Sequence, residues 1–556
     1  MSNTLKIYCK NLDEYVDISG GETLLDIFRR LEGRMNGLKP VCARVNNKTE
    51  DLRYPIFAPK QVEFLGTDSP SGYRCYTRSL CMLLYKALDE LYPGARLRIE
   101  ISLGGGYYCR IFKGPDFSLQ LLERLRDKMR ELVAADIPFE RKERLTSHAI
   151  EIFRRQGLND KVRLLSTTHE LYTVYYRLGQ LCDSYYGNLV PSTGMLGVFD
   201  LVPYKDWFLL MGPDSADPSK LAPGVVADKM YNAFTRYLRF NNVIGVRNVG
   251  EVNLAVERGD SARLINVAEA VHTKYISRIA DEITERYHRG MSVVLIAGPS
   301  SSGKTTFIKR LGVQLMTNLL KPRMISLDDY FVDRVNTPRD ASGDYDFESL
   351  HALDLETFNR DLNALIRGEE VDLPTYDFGS GTRKYTGNKI RLEEGTILLI
   401  EGIHGLNPEL TKFVDDSKKY RIYVSALTTL AIDDHNWIPT SDNRLLRRIV
   451  RDHKYRGVSA VETIRRWPSV RRGEEKWIFP YQENADAMFN SSLLFEVAVL
   501  KEYALELLKR VPHDVPEYGE AWRLMRFLEP FAPIEPYMIP PTSLLREFVG
   551  GSSFSY

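Results

Sequence analysis

Between Ser292 and Leu315 the chain passes from an apolar run, VVLIA, through GPSSSGKTT into FIKRLGVQL. That order of residues fits one local structure, a buried strand followed by a tight glycine loop and a helix. Gly298 and Gly303 let the backbone curl so that successive N–H groups point inward, and the helix adds its positive N-terminal end. A loop of this kind cradles phosphate oxygens. Gly298, Pro299, Ser300, Ser301, Ser302, Gly303 and Thr306 are therefore expected around the phosphates of ATP. Lys304 should reach the terminal phosphates, and Thr305 should offer its hydroxyl to Mg²⁺. The strand also implies neighbours. RMISL, TILLI and YRIYVSA repeat the short apolar pattern between helical stretches, the signature of a doubly wound parallel α/β sheet.

A phosphate loop leaves the acceptor open, whether water, protein or small molecule. RMISLDDYFVDR ends a strand with two carboxylates, where such a sheet places its crevice. Transfer to an alcohol needs a carboxylate to orient the hydroxyl and take its proton, and positive charge to stabilise the phosphoryl oxygens. Arg444, Arg447, Arg448, Arg451 and Arg456 crowd SDNRLLRRIVRDHKYRG at a density beyond what a solvated helix face requires. Ion pairing on a surface helix is the competing reading.

The remainder of the 556 residues exceeds one ordinary core. Residues 1–66 alternate as half-buried strands around a helical pattern through Leu24, Ile27, Phe28 and Leu31, a β-grasp-like unit. Residues 67–215 mix long helical patterns with a Gly-rich strand pair, an α+β domain. Residues 216–290 read as a helical connector, 291–505 as the α/β unit, and 506–556 as a proline-rich arm. Lys+Arg at 75 against Asp+Glu at 74 give no global drive toward nucleic acid. All six cysteines lie in the first third without metal or disulfide spacing, and the N-terminus lacks the regions of a secretory signal. The expected address is the cytoplasm, with no membrane span.

The ordered motifs GPSSSGKTT, LDDYF, DYDF, PTYDFGSGTRK, ILLIEG and NRLLRRIVRDHKYRG resemble the uridine kinase and phosphoribulokinase family over about a third of the chain. The resemblance implies an ATP- and Mg²⁺-dependent kinase of a nucleoside 5′-hydroxyl, with uridine or cytidine the first acceptors to consider. It makes Asp328 the catalytic aspartate, with Asp329 at a variable place. Thr305 and Glu401, with Asp328, would serve the metal. Asp346 would grip ribose hydroxyls, Tyr376 and Phe378 would pack on the base, and Arg448, Arg451 and Arg456 would serve the lid and the phosphates. Two departures stand out. Pyrimidine nucleoside kinases of the family carry a histidine five residues after the tyrosine, where this chain has Gly381, and a site without that donor has a relaxed or altered choice of base. Gly457 and Val458 follow Arg456 where the family often has a second arginine. Losing a transition-state contact costs on the order of 3 kcal/mol. Another metabolite alcohol therefore remains an alternative acceptor.

The N-terminal portion resembles the front end of threonyl-tRNA synthetase, a TGS-like domain followed by an editing-like module. The module's HxxxH pair falls on Arg78 and Met82, and its CxxxH on Tyr185 and Leu189. No imidazole or thiolate remains there to move protons or bind metal. The resemblance keeps RNA or the ribosome open as a partner, and a nucleotide-responsive regulator as a function; a homo-oligomer is a further option. His404, Trp467 and Trp477 are expected to pack rather than react.

Overall fold

The computed structural model describes residues 4–340 and 343–555. Strands β1 (Thr4–Cys9), β2 (Glu14–Ser19), β3 (Cys42–Val45), β4 (Lys48–Glu50) and β5 (Gln61–Leu65) form one sheet in the order β2-β1-β5-β3-β4. The parallel β1/β5 pair sits at its centre. Helix α1 (Leu24–Leu31), capped by Thr23, lays Leu24, Ile27, Phe28 and Leu31 on this sheet. That is the β-grasp arrangement, and its core is set by the period-3.6 apolar stripe against period-2 strands.

Helix α2 (Pro70–Leu91) starts at the Ser69 cap and is buried along most of its length. It lies among the hairpin β6 (Arg96–Leu103) and β7 (Gly106–Lys113), helix α3 (Leu119–Ala134), strand β8 (Phe139–Leu145), helices α4 (Thr146–Arg155) and α5 (Asn159–Thr167), and strands β9 (Tyr172–Leu178) and β10 (Leu181–Asp183). Strands β11 (Asp200–Tyr204) and β12 (Trp207–Met211) extend the first hairpin into the sheet β11-β12-β7-β6. At the positions where the resemblance expects reactive groups, Met82, Tyr185 and Leu189 are buried in this core. Arg78 donates from Nη1 to the carbonyl of Asn188 at 2.9 Å.

The expected connector is more than a spacer. Helices α6 (Asp228–Ile244), α7 (Val249–Glu257) and α8 (Ser261–Tyr287) follow, and α8 buries Leu264, Ile265, Ile276, Ile279 and Ile283 in the same core as the α/β unit. That unit begins with β13 (Val293–Ala297) and continues through α9 (Lys304–Thr317), β14 (Lys321–Ser326), α10 (Leu355–Ile366), the hairpin β15 (Val371–Asp377) and β16 (Thr382–Ile390), β17 (Thr396–Glu401) and β18 (Lys419–Ser425). A short hairpin, β19 (Ala431–Asp433) and β20 (Asn436–Trp437), precedes α11 (Thr440–Arg456), α12 (Ala460–Trp477), β21 (Ala487–Asn490) and α13 (Glu496–Lys509). The sheet order is β14-β17-β13-β18-β21, all parallel. Val294 and Ile296 face the cluster that includes residues of α8, α9, α11 and α13, whereas Val293 and Leu295 face that of α10. Both faces are covered, which is why β13 is apolar at every position.

The C-terminal arm expected from its prolines is a packed element instead. Helix α14 (Tyr518–Leu528) and the short α15 (Arg546–Val549) join the α/β core, with Leu544, Leu545, Phe548 and Val549 buried. The prolines end helices and set turns but do not keep the segment off the surface it covers. Among the described residues no helix is long and apolar enough to cross a membrane.

The hairpin β19–β20 joins the two halves. Ile99 N–H donates to Asp434 O at 2.9 Å, and Arg98 Nε pairs with Asp434 Oδ1 at 2.6 Å. The rings of Tyr107 and Trp437 lie 4.4 Å apart, and those of Tyr85 and His435 4.3 Å. Beneath them Lys161 Nζ meets Asp183 Oδ1 and Asp433 Oδ1, both at 2.9 Å, while His435 Nδ1 bonds Asp183 Oδ2 at 2.7 Å. All four side chains are at most 1% exposed. Burial raises Asp183, but Lys161 and His435 outweigh it and hold the carboxyl below the usual carboxylate range.

Candidate functional site

The glycine loop leaves β13 at the carboxyl end of the sheet's central strand, with β17 on one side and β18 on the other, the crevice position of a doubly wound sheet. Gly303 adopts φ +84°, and a side chain there would run into Leu544. Lys304 Nζ donates to the carbonyls of Gly298 (2.9 Å) and Pro299 (3.3 Å), so the ammonium closes over the loop. Burial lowers its pKa, opposed by Glu401, Asp328 and Glu547. Thr305 Oγ1 stands 3.4 Å from both carboxylate oxygens of Glu401. A curled loop, a cation over it and a hydroxyl beside a carboxylate are a donor set that fits a nucleotide's phosphates with a hard divalent cation.

Three carboxyl groups, Asp328, Glu348 and Glu401, have Lys304 among their electrostatic neighbours. Asp328 lies in the turn after β14 and is exposed to solvent; desolvation by the surrounding atoms raises its pKa, countered by Lys304. Its neighbour Asp329 is committed elsewhere, accepting from Tyr376 N–H at 3.2 Å. Burial, resisted by Lys304, pushes Glu401 up to about 7. Glu348, which the sequence did not single out, is also pushed up to about 7 by burial and by Glu474. Its only flag in the sequence is its closeness to DYDF.

Asp346 sits in the turn before Glu348, with Oδ1 accepting from Glu348 N–H at 3.2 Å. Tyr376, buried, and Phe378, 58% exposed, form an aromatic group with Phe331, their rings 5.0–6.2 Å apart. Gly381 has φ +69°, and an added Cβ would lie 2.8 Å from Arg334 Cβ. Arg334 N–H donates to Gly381 O at 2.8 Å. Arg334 therefore backs Gly381, and a histidine there would be strained in that backbone. Gly381→Ala should lower stability by about 1–3 kcal/mol, read from a urea denaturation midpoint. An unchanged midpoint would show that the turn relaxes.

The arginines of α11 divide into two groups. Arg444 and Arg447 are fully buried and pair with Glu474 and Glu496. They brace the loop from behind: Arg444 Nε donates to Ser300 O at 2.9 Å, Arg447 Nη1 to Ser301 O at 3.4 Å, and Ser300 N–H donates to Glu474 at 3.1 Å. Arg448, Arg451 and Arg456 share the carboxylate of Asp452, at 3.3, 2.7 and 3.5 Å. Three guanidiniums on one anchor leave positive charge over at the crevice. Arg448 also donates from Nη1 to Ser300 Oγ at 2.7 Å, which places it on the loop. Arg451 and Arg456 make no such contact with the loop among the described hydrogen bonds. Asp452, Glu474 and Glu496 were missed because a carboxylate that braces an arginine has no motif of its own. His404 is buried, and its ring and that of His351 pack edge-on against Trp477; Trp467 is buried in the core.

A phosphate loop at the end of the sheet's central strand, with a carboxylate and an arginine-bearing helix in contact with it, is the arrangement of a P-loop α/β unit. Residues 293–497 match the model of the phosphoribulokinase/uridine kinase family, and this unit is of that family. The N-terminal region is similar to threonine–tRNA ligases. That of Rubrobacter xylanophilus is 33% identical over 186 residues, 34% of this chain and 29% of that protein. The ligase of Desulforamulus reducens is 30% identical over 177 residues, 32% and 28%. The chain thus spans under a third of the length of these relatives. Among solved structures, a possible uridine kinase from Bacillus stearothermophilus is 19% identical, covering 38% of this chain and 97% of its own, with TM-score 0.26. A putative fructose transport system kinase from Silicibacter sp. TM1040 is 18% identical, covering 38% and 98%, with TM-score 0.28. D-glycerate 3-kinase from Cryptococcus neoformans is 12% identical, covering 38% and 89%, with TM-score 0.27.

Proposed function

We propose that this protein is an ATP- and Mg²⁺-dependent kinase of a hydroxyl on a small molecule, with the 5′-hydroxyl of uridine or cytidine the first acceptor to test. The observation that carries this reading is the pair of aspartates after β14, in which Asp329 is spent on Tyr376 N–H and Asp328 is left facing Lys304. When bound, ATP supplies the phosphoryl group and Mg²⁺ neutralises its charge. Asp328 accepts the proton of the acceptor hydroxyl at a carboxylate oxygen and orients that oxygen toward the loop. Gly298 to Thr306 hold the donor's phosphates, Thr305 and Glu401 hold the metal with Asp328 nearby, and Arg448, Arg451 and Arg456 stabilise the transferring group. Asp346 engages acceptor hydroxyls, and Tyr376 and Phe378 form its apolar wall.

Gly381 favours a second reading with the same chemistry and another acceptor. Its left-handed backbone against Arg334 supports a site without the base-reading histidine. The test is ATP consumption with products identified by mass, across pyrimidine and purine nucleosides, pantothenate and ribulose phosphate. A nucleoside monophosphate supports the first reading, and a phosphorylated non-nucleoside the second. Tight ATP binding without acceptor-dependent turnover, together with salt-sensitive RNA binding, would move the protein to a nucleotide-responsive regulator, the role that similarity to threonine–tRNA ligases makes the alternative.

The metal site carries its own pH signature. Glu401 is pushed up to about 7, and only its ionised form attracts a cation. Mg²⁺-dependent tightening of ADP binding should therefore grow as pH rises from 6 to 8 and fade as protons return below 7. A pH-independent Mg²⁺ effect would remove Glu401 from the metal site.

A further inference from the structure

Helix α15 of the C-terminal segment reaches the phosphate loop. Helix α9 opens at Lys304, so the N–H groups of its first turn have no partner within the helix and are the groups a phosphate would meet. One of them is already taken. Glu547 Oε2 accepts from Thr306 N–H at 3.2 Å and from Thr306 Oγ1 at 2.7 Å. Glu547 is 8% exposed, and its electrostatic neighbours include Lys304 and Glu401.

The seat is built rather than incidental. Leu544, Leu545, Phe548 and Val549 are buried around Glu547, and Leu544 fills the space that a side chain on Gly303 would need. Lys454 Nζ donates to Val549 O at 2.7 Å, and the Arg447 guanidinium lies 5.0 Å from the Phe548 ring centroid. The apolar anchors fix the backbone, so only the carboxylate and its short side chain need to move for Thr306 to change partner.

We propose that the Glu547 carboxylate stands in the phosphate subsite of Thr306, as an internal anion that a nucleotide must replace in order to bind. The proposal rests on the nucleotide-binding reading above. Chemistry makes the exchange obligatory. A carboxylate oxygen and a phosphate oxygen are acceptors for the same N–H and hydroxyl, and the crevice already holds Asp328 and Glu401 beside Lys304. A polyphosphate added beside an unmoved Glu547 would meet like charge at close range. The residue thus sets how tightly the loop holds a donor.

The test uses the full chain and ADP as the probe, with dissociation constants measured by calorimetry for wild type, Glu547→Gln and Glu547→Asp. Glutamine removes the charge. Aspartate keeps the charge but is one methylene too short to reach Thr306 from the same backbone. Replacement predicts tighter ADP binding in both, about tenfold for glutamine and several-fold for aspartate. If aspartate matches wild type while glutamine binds more tightly, Glu547 acts through its field alone and the exchange is refuted. Weaker binding in both would make Glu547 a support of the loop and equally refute it. Failure of all three proteins to bind ADP would overturn the nucleotide reading itself, an outcome distinguishable from the others by the wild type alone.

Discussion

Replacing Asp328 with asparagine should reduce acceptor-dependent ATP turnover by about 10³-fold, within the range that a positioned general base contributes. Asparagine keeps the size of the side chain and cannot accept the proton. The carboxylate is open to solvent, and Lys304 opposes the rise in its pKa that desolvation causes. The substitution removes a negative charge near Lys304, so ADP affinity should stay within a few-fold of wild type or tighten. Steady-state turnover and ADP calorimetry on the same preparation separate the two effects. Asp329→Asn is the contrasting variant. Its side chain holds Tyr376 N–H, and asparagine can still accept that bond through its carbonyl. Turnover that collapses in Asp329→Asn and survives in Asp328→Asn would exchange their roles.

Lys161→Met should destabilise the protein by about 3–5 kcal/mol, the usual result of removing one partner from a buried ion pair. Lys161 is 1% exposed and lies between Asp183 and Asp433, each 0% exposed. Methionine fills the space and leaves two buried carboxylates with their main counter-charge gone. Because Asp183 belongs to the synthetase-like half and Asp433 to the α/β half, the loss should appear in both. Urea unfolding followed by tryptophan fluorescence and by circular dichroism should shift together. A midpoint within a few tenths of a molar of wild type would mean that the aspartates take up protons at little cost. Separate transitions for the two probes would mean that the halves unfold independently.

The phosphate loop and the parallel sheet were legible because both depend on neighbours in sequence: VVLIA is apolar at every position, and GPSSSGKTT carries its own backbone geometry. The arginines of α11 were legible as a cluster but not in their division, because which guanidinium is braced depends on Glu474 and Glu496 from other elements. Glu348 and Asp452 have no motif around them. The hairpin containing Asp433, Asp434, His435 and Asn436 reads as a polar turn in sequence. Only its insertion against Lys161 and Asp183, more than 240 residues earlier, turns it into an interior. The proline-rich end misled for a related reason. Proline density reports where helices stop, whereas burial of Leu544 and Phe548 depends on a surface formed by α9 and α11.

The contact between the two ends of the α/β unit also sets an order of events during synthesis. The strand, the loop and α9 emerge from the ribosome with hundreds of residues still to follow, and domains generally begin to fold as they appear. Glu547 follows Thr306 by 241 residues, so a nascent chain can form its glycine loop long before it has the wall beside Gly303 or the partner of Thr306. The loop reaches its finished form only once Leu544 and Glu547 have been made and packed. A stop codon before Leu544 therefore acts on an early-made part of the site through one made much later.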